Sequence, residues 1–144
     1  MKQHLTVGGY LVHDGRVLLI HHAKLDKWLP VGGHVEEGEL LDEAIKREFQ
    51  EEVNIAIELP QLEPVNYLGA KQLATPFHSN IHNVGDHDHS CIYYLCTSKN
   101  PEVKINNELK GAKWFSQEDL LKESIPSDVR AEALKALELA RKFF

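Results

Sequence analysis

The sequence predicts an α/β domain in which a mixed β-sheet packs against helices. Three observations predict this class: short apolar runs separated by turn residues, an amphipathic helical segment in the first half of the chain, and further helical segments at its end. A chain of 144 residues is of ordinary size for one domain and can bury a hydrophobic core. No repeat or linker divides it, so we expect residues 1–144 to form a single domain.

The strands are predicted from apolar runs that end at turn residues. Two of them flank Asp14-Gly15, a dipeptide typical of a tight hairpin turn. A third is broken by Pro30 and the pair Gly32-Gly33, and is predicted to be a strand that leaves a glycine-containing loop. In chain order the predicted strands are LTVGGYLV, RVLLIHH, KWLPVGGHVE, PVNYLGAKQ, SCIYYLCT and KGAKWFS, and the longest predicted loop is TPFHSNIHNVGDHDH, residues 75–89.

Three helices are predicted, the first of them after Gly38. Glu39 and Asp42 lie near its beginning, where negative charge is favourable. SQEDLLKE begins with a serine cap and is predicted to be a short helix. SDVRAEALKALELARKFF repeats apolar residues at helical spacing and is predicted to close the domain.

The composition excludes several classes of function. Apolar residues make up 42% and charged residues 26%, and no stretch approaches the roughly 18 apolar residues of a membrane helix. The first residues do not resemble a secretory signal, which favours a cytoplasmic location. A net charge of −6 argues against a nucleic-acid or acidic-membrane surface. Cys91 and Cys96 should face opposite sides of one strand, so we interpret them as structural thiols.

Glutamates extend the apolar stripe of the helix after Gly38. Steps of three and four residues, at about 100° per residue, connect its apolar arc to these glutamates. In isolation an acidic solvated helix would be the favoured interpretation, but such a helix places its glutamates opposite the apolar arc. The stripe consists of Leu41, Ala44 and Ile45, followed by Glu48, Glu51 and Glu52.

Carboxylates that converge on a partly buried surface need compensating positive charge, because repulsion and lost hydration both raise their pKa values. Only Lys46 and Arg47 are nearby in sequence, and Lys46 is predicted to point away. Magnesium prefers oxygen ligands and commonly joins one or two carboxylates to substrate phosphates. The pattern therefore favours a Mg²⁺ or Mn²⁺ site, which would also mediate binding of an anionic substrate.

Residues 33–55, GHVEEGELLDEAIKREFQEEVNI, resemble the Nudix box. That box is a glycine, five residues, a glutamate, seven residues, and then Arg-Glu-apolar-any-Glu-Glu-any-Gly-apolar. Asn54 replaces its last glycine, and asparagine is the residue next best able to end a helix in the left-handed conformation. The matching positions are Gly33, Glu39, Arg47, Glu48, Phe49, Glu51, Glu52 and Ile55.

The resemblance, which extends over nearly the whole chain, implies an α/β/α sandwich with a central mixed sheet. It also implies metal-dependent hydrolysis of the diphosphate linkage in a nucleoside diphosphate derivative of the nucleotide or nucleotide-sugar type, by attack of water on phosphorus. Carried over by position, Glu48, Glu51 and Glu52 would bind the cation with the backbone carbonyl of Gly33. Glu52 is the first choice for the general base, with Glu51 and with Arg47, which would orient a glutamate, as the other catalytic residues.

Four residues outside the acidic stripe are candidate substrate contacts: Gly32, His34, Trp28 and Asp88. Gly32 would let the backbone approach the metal site, and His34 could meet a phosphate. Trp28 could stack on a nucleobase, although a core position is the favoured interpretation. Asp88 lies among the histidines of residues 75–89, where a base or ligand could lie, but the lack of zinc-type spacing favours a polar surface loop.

The sequence carries no motif that identifies a substrate subgroup. A nucleotide-sensing binding module on the same fold is the alternative function, and an isomerase is a further one, but the intact box disfavours the sensor. The number of metal ions stays open, and a homodimer is expected only by analogy with similar proteins.

Overall fold

The structure is a computed structural model that describes residues 3–62 and 69–144. Within these two ranges no helix combines the length and apolar character needed to cross a membrane. The elements are β1 (Gln3–His13), β2 (Arg16–His22), β3 (Lys27–Leu29), β4 (Val31–His34), α1 (Leu41–Val53), β5 (His78–Asn83), β6 (Asp88–Cys96), β7 (Leu109–Phe115), α2 (Gln117–Lys122) and α3 (Ser127–Phe143).

The strands form one mixed sheet of seven that is organised around β1. Residues 3–11 of β1 pair in parallel with β6, and residues 6–9 pair antiparallel with β4 on the other side. The end of β1 pairs with β2, which also pairs with β3 and β7. β5 pairs only with β6 among the named strands of the described ranges and forms an edge.

Helices cover both faces of this sheet, so the predicted α/β/α sandwich is confirmed. On one face Ile45 and Phe49 of α1 belong to a buried apolar cluster that also contains Cys96. On the other face residues of α2 and α3 pack in a second cluster, which contains Cys91. The two cysteines therefore lie on opposite faces, as predicted.

Backbone dihedral angles confirm one predicted turn and one predicted helix end. Asp14 and Gly15 both have positive φ, 50° and 72°, as a tight turn between β1 and β2 requires. Asn54 follows α1 at φ 57° and ψ 40°, the left-handed conformation that ends a helix. Ser116 caps α2, since its side chain accepts a hydrogen bond from the Asp119 N–H at 3.1 Å.

The predicted loop at residues 75–89 is wrong, because β5 and the start of β6 form a hairpin there. β5 reads HSNIHN and lies mostly exposed at the sheet edge, so it lacks the apolar alternation by which strands are recognised. The strand predicted for PVNYLGAKQ is not found in residues 69–72, and its residues 64–68 lie outside the described ranges. Pro30 divides KWLPVGGHVE into β3 and β4.

Candidate active site

Two buried carboxylates of α1 lie beside the glycine pair of β4. Glu48 and Glu52 are each 9% exposed and one helical turn apart. A Cβ atom on Gly33 would overlap the Glu48 carboxylate, and Glu52 Oε2 accepts a hydrogen bond from the Gly32 N–H at 3.3 Å. The absence of a side chain at Gly33 therefore allows the Glu48 carboxylate to approach the backbone of β4.

Arg47 connects these carboxylates to the loop before α1. Its Nε donates to Glu39 at 2.7 Å, and its Nη1 donates to Glu48 at 2.9 Å and to Glu51 at 3.2 Å. Its Nη2 donates to Glu39 at 3.0 Å and to the carbonyl oxygen of His34 at 2.9 Å. The hydrogen bonds with Glu39 raise the pKa of Arg47 and lower the pKa of Glu39. Arg47 thus holds α1, the preceding loop and the end of β4 together.

Glu51 differs from the other two glutamates of the stripe. Its side chain is 57% exposed, and Arg47 forms an ion pair with it. Glu51 therefore lies at the solvent edge of the stripe, and the predicted convergence on the buried side is found for Glu48 and Glu52.

Glu48 and Glu52 lie where ionisation is unfavourable. Burial raises the pKa of Glu52 to about 8, the nearby charge of Glu48 adds to the rise, and the hydrogen bond from Gly32 opposes it. Burial also raises the pKa of Glu48, which the hydrogen bond from Arg47 opposes. No lysine or arginine in residues 3–62 or 69–144 forms an ion pair with Glu52. Neighbouring cations therefore only partly balance the negative charge that Glu48 and Glu52 carry when ionised. Buried carboxylate oxygens of this kind suit a hard divalent cation.

A cleft of about 700 Å³ opens beside Glu52, a volume suited to a small-molecule ligand. His22 lies in its wall, and its buried Nδ1 has no hydrogen-bond partner among the described residues. Other residues that line the cleft are Thr6, Gly32, Gly33, His34, Glu52 and His89. The structure thus brings Gly32, His34 and Glu52, three of the candidate site residues, into one cleft.

Two predicted substrate contacts lie elsewhere. Trp28 packs against Phe115 with ring centroids 5.2 Å apart, although its neighbours Lys27 and Leu29 line the cleft. Successive strand residues point to opposite faces, so Trp28 faces away from the cleft. Asp88 accepts a hydrogen bond from the Asn83 side chain at 3.1 Å and does not belong to the described cleft wall. The structure does not bring either residue to Glu52.

Several histidines gather at one end of the cleft, a feature that the sequence analysis missed. Nitrogen atoms of His4, His34, His87 and His89 all lie within 4.8 Å of one another. Burial lowers the pKa of His89, and the neighbouring histidines lower it further. No residue near His4 in the sequence indicates that it lies beside the other histidines. Its position depends on the pairing of β1 with β6, about 85 positions apart in sequence.

Comparisons with known proteins identify the family of the chain. Residues 2–137 match the family model described as NUDIX domain. The chain belongs to the Nudix family. Nucleoside triphosphatase NudI of Escherichia coli O139:H28 (strain E24377A / ETEC) is 31% identical to this Nudix chain over 129 residues, which cover 84% of the chain and 87% of that protein.

Solved structures of Nudix proteins share the whole fold. A Nudix-family hydrolase from Clostridium perfringens is 33% identical with a TM-score of 0.87, over 97% of this chain and 99% of that one. MutT NUDIX hydrolase from Burkholderia pseudomallei, at 24% identity, matches in fold with a TM-score of 0.72 over 96% of this chain and 98% of its own. The resemblance drawn from residues 33–55 is thereby confirmed, and the chain is a Nudix-type pyrophosphohydrolase that acts on phosphorus-containing acid anhydrides.

Proposed function

We propose that this Nudix hydrolase cleaves a phosphoanhydride bond of a nucleoside triphosphate or a nucleoside diphosphate derivative, and that it requires Mg²⁺ or Mn²⁺. The observation that carries the proposal is the buried, undercompensated pair Glu48 and Glu52 next to the glycines of β4. The name of the relative NudI, a nucleoside triphosphatase, supports including triphosphates beside the nucleotide and nucleotide-sugar diphosphates.

The donor set fits a hard cation. Glu48 and Glu52 would hold the ion, with Glu51 at the solvent side and the backbone carbonyl of Gly33 as further ligands. When bound, the ion supplies positive charge to phosphate oxygens and makes a nearby water more acidic. Because carboxylates bind a cation in their ionised form, occupancy would remove the cost of ionising Glu48 and Glu52.

The remaining chemistry falls to the side chains of the chain itself. Glu52 is our candidate for the general base, because it lines the cleft and its Oε2 is held by the Gly32 N–H. The proton of the attacking water would pass to Glu52, the water oxygen would bond to phosphorus, and the bond to the departing phosphate would break. Arg47 would act as a positioning residue, since it fixes Glu48 through a 2.9 Å hydrogen bond.

The test is a substrate panel with Mg²⁺ in excess, containing nucleoside triphosphates, nucleotide sugars and dinucleotides. We expect turnover of at least one class. Glu48→Gln and Glu52→Gln should lower kcat by about 100-fold or more, as expected for loss of a metal ligand or base. Product analysis by phosphorus NMR in oxygen-labelled water would identify the phosphorus that is attacked.

Glu58→Gln is the matched control, because Glu58 is 60% exposed and contacts Lys99. It should retain the activity of the unmodified chain. Failure of all substrates to turn over, with nucleotide binding intact, would favour the nucleotide-sensing alternative. Activity that is unaffected by chelation would contradict the metal requirement. The cytoplasmic location and the homodimer stay predictions of the sequence.

A further inference from the structure

Three histidines lie on one face of the sheet, although their strands are far apart in sequence. In the parallel pairing of β1 with β6, His4 lies opposite His89. In the antiparallel pairing of β1 with β4, Thr6 lies opposite His34, and Thr6 shares a face with His4 because alternate strand residues do so. His87, in the turn before β6, completes the group. We call His4, His34, His87 and His89 the histidine cluster.

Two pairs of ring nitrogens in the histidine cluster lie close to the spacing of neighbouring ligands on a shared metal ion. His87 Nε2 lies 3.0 Å from His89 Nε2, and His4 Nδ1 lies 3.3 Å from His34 Nε2. In a tetrahedral site with metal–nitrogen distances of about 2.0–2.1 Å, neighbouring nitrogens are about 3.3–3.4 Å apart. Hydrogen bonds between imidazoles would explain each short contact separately. One ion would explain why rings from four separate positions of the chain converge.

His87 also has the outer partner that metal-binding histidines usually have. Its Nδ1 lies 2.6 Å from Oδ1 of Asp86. A carboxylate in this position keeps the proton on Nδ1 and leaves the lone pair of Nε2 free to face the cluster. This contact is separate from the contacts of the His87 ring with His4 and His89.

We propose that the histidine cluster binds a divalent transition-metal ion of the zinc class at a site separate from Glu48 and Glu52. Imidazole nitrogen suits Zn²⁺, Ni²⁺ and Cu²⁺, whereas Mg²⁺ prefers oxygen, so the two sites select different ions. The position is next to the cleft, because His34 and His89 also line it. This inference does not rest on the proposed reaction.

The experiment measures Zn²⁺ binding to the untagged, chelator-treated chain by competition with a chromophoric chelator. Mg²⁺ is kept in excess so that the oxygen ligands of α1 are occupied. We expect one equivalent of Zn²⁺ to bind, and His87→Gln or His89→Gln to weaken the affinity by at least about tenfold. Asp86→Asn should weaken it by about tenfold, the usual effect of losing an outer carboxylate partner. Co²⁺ in place of Zn²⁺ should give the intense visible absorption of a tetrahedral site.

His13→Gln is the matched control, since His13 also has an adjacent carboxylate partner, Asp14 at 3.5 Å, but lies outside the cluster. It should bind Zn²⁺ as the unmodified chain does, and circular dichroism should show all variants folded. The proposal is overturned if no Zn²⁺ binds, or if His87→Gln and His89→Gln bind it unchanged. It is equally overturned if Glu48→Gln, and not the histidine variants, abolishes binding. None of these measurements uses nucleotide hydrolysis, so failure here leaves the proposed reaction intact.

Discussion

Glu52 should make the metal-free chain less stable as the pH rises, and Glu52→Gln should remove this dependence. Between pH 4.5 and about 8 the folded chain keeps a proton on Glu52 that the unfolded chain has released, because burial raises the pKa of this group. The folded state binds more protons than the unfolded state in this range, so the free energy of unfolding falls as pH increases. The loss begins near pH 4.5 and is complete above pH 8.

The magnitude follows from the two pKa values. Each unit of difference between the folded and unfolded states corresponds to about 1.4 kcal/mol. A pKa that rises from 4.5 to about 8 therefore corresponds to a loss of about 5 kcal/mol. This is a large part of the stability of an ordinary domain, which is about 5–15 kcal/mol. Glutamine has the same shape, can accept the Gly32 hydrogen bond and carries no charge, so it avoids the loss.

The assay is urea denaturation followed by tryptophan fluorescence, at several pH values between 5 and 8 with a chelator present. Near pH 5 the unmodified chain and Glu52→Gln should have similar stability, and near pH 8 the variant should be more stable by about 3–5 kcal/mol. Excess Mg²⁺ should stabilise the unmodified chain at pH 8 and have less effect on the variant, because the ion binds only the folded state.

A stability difference between the two chains that does not change with pH would refute the reasoning, since the charge of Glu52 would then have no cost. Glu58→Gln serves as the control, because its exposed carboxylate should not contribute. Comparison of variants isolates Glu52 from Glu48 and Glu132, whose pKa values burial also raises.

Substitutions at three further positions test local contacts in the fold. Gly33→Ala should cost about 1–3 kcal/mol of unfolding free energy and lower hydrolysis, because the new methyl group displaces the Glu48 carboxylate; unchanged urea denaturation and kcat would contradict this. Tyr10→Phe should cost about 1–3 kcal/mol, because the buried Glu132 loses a 2.6 Å hydrogen bond; thermal unfolding at the wild-type temperature would argue against it. Asn54→Ala should cost about 1–2 kcal/mol at the left-handed end of α1, whereas Asn54→Gly should be nearly neutral; equal denaturation midpoints for the two would disprove the role of this conformation.

Features with a local cause could be predicted from the sequence. The turn at Asp14-Gly15 and the end of α1 at Asn54 depend on a few neighbouring residues. The placement of Glu48 and Glu52 follows from helical periodicity, which carries them onto the side that faces β4. Two adjacent glycines then leave room for their carboxylates. The placement of Glu48 and Glu52 beside the glycines could therefore be predicted from one continuous stretch of sequence.

Features that depend on strand pairing could not be predicted. β5 lies mostly exposed at the edge of the sheet, where a strand can form without alternating apolar residues. Its polar sequence therefore predicts a loop. The histidine cluster depends on the register of β1 with both β4 and β6, which no local pattern encodes. For Trp28 the favoured core position agrees with its packing against Phe115, and the alternative of stacking on a nucleobase rests on residue type alone.

The contacts of Arg47 limit how the chain can recognise phosphate. A guanidinium has five N–H donors, and Glu39, Glu48, Glu51 and the His34 carbonyl together accept five hydrogen bonds from Arg47. This saturated side chain has no donor left for an incoming anion. Arg47 does not line the cleft, and among the described cleft-lining residues Lys27 is the one lysine or arginine. Divalent cations bound with a polyphosphate must therefore balance much of its negative charge. The affinity of the chain for a polyphosphate should then depend more on the concentration of free divalent cation than on the ionic strength.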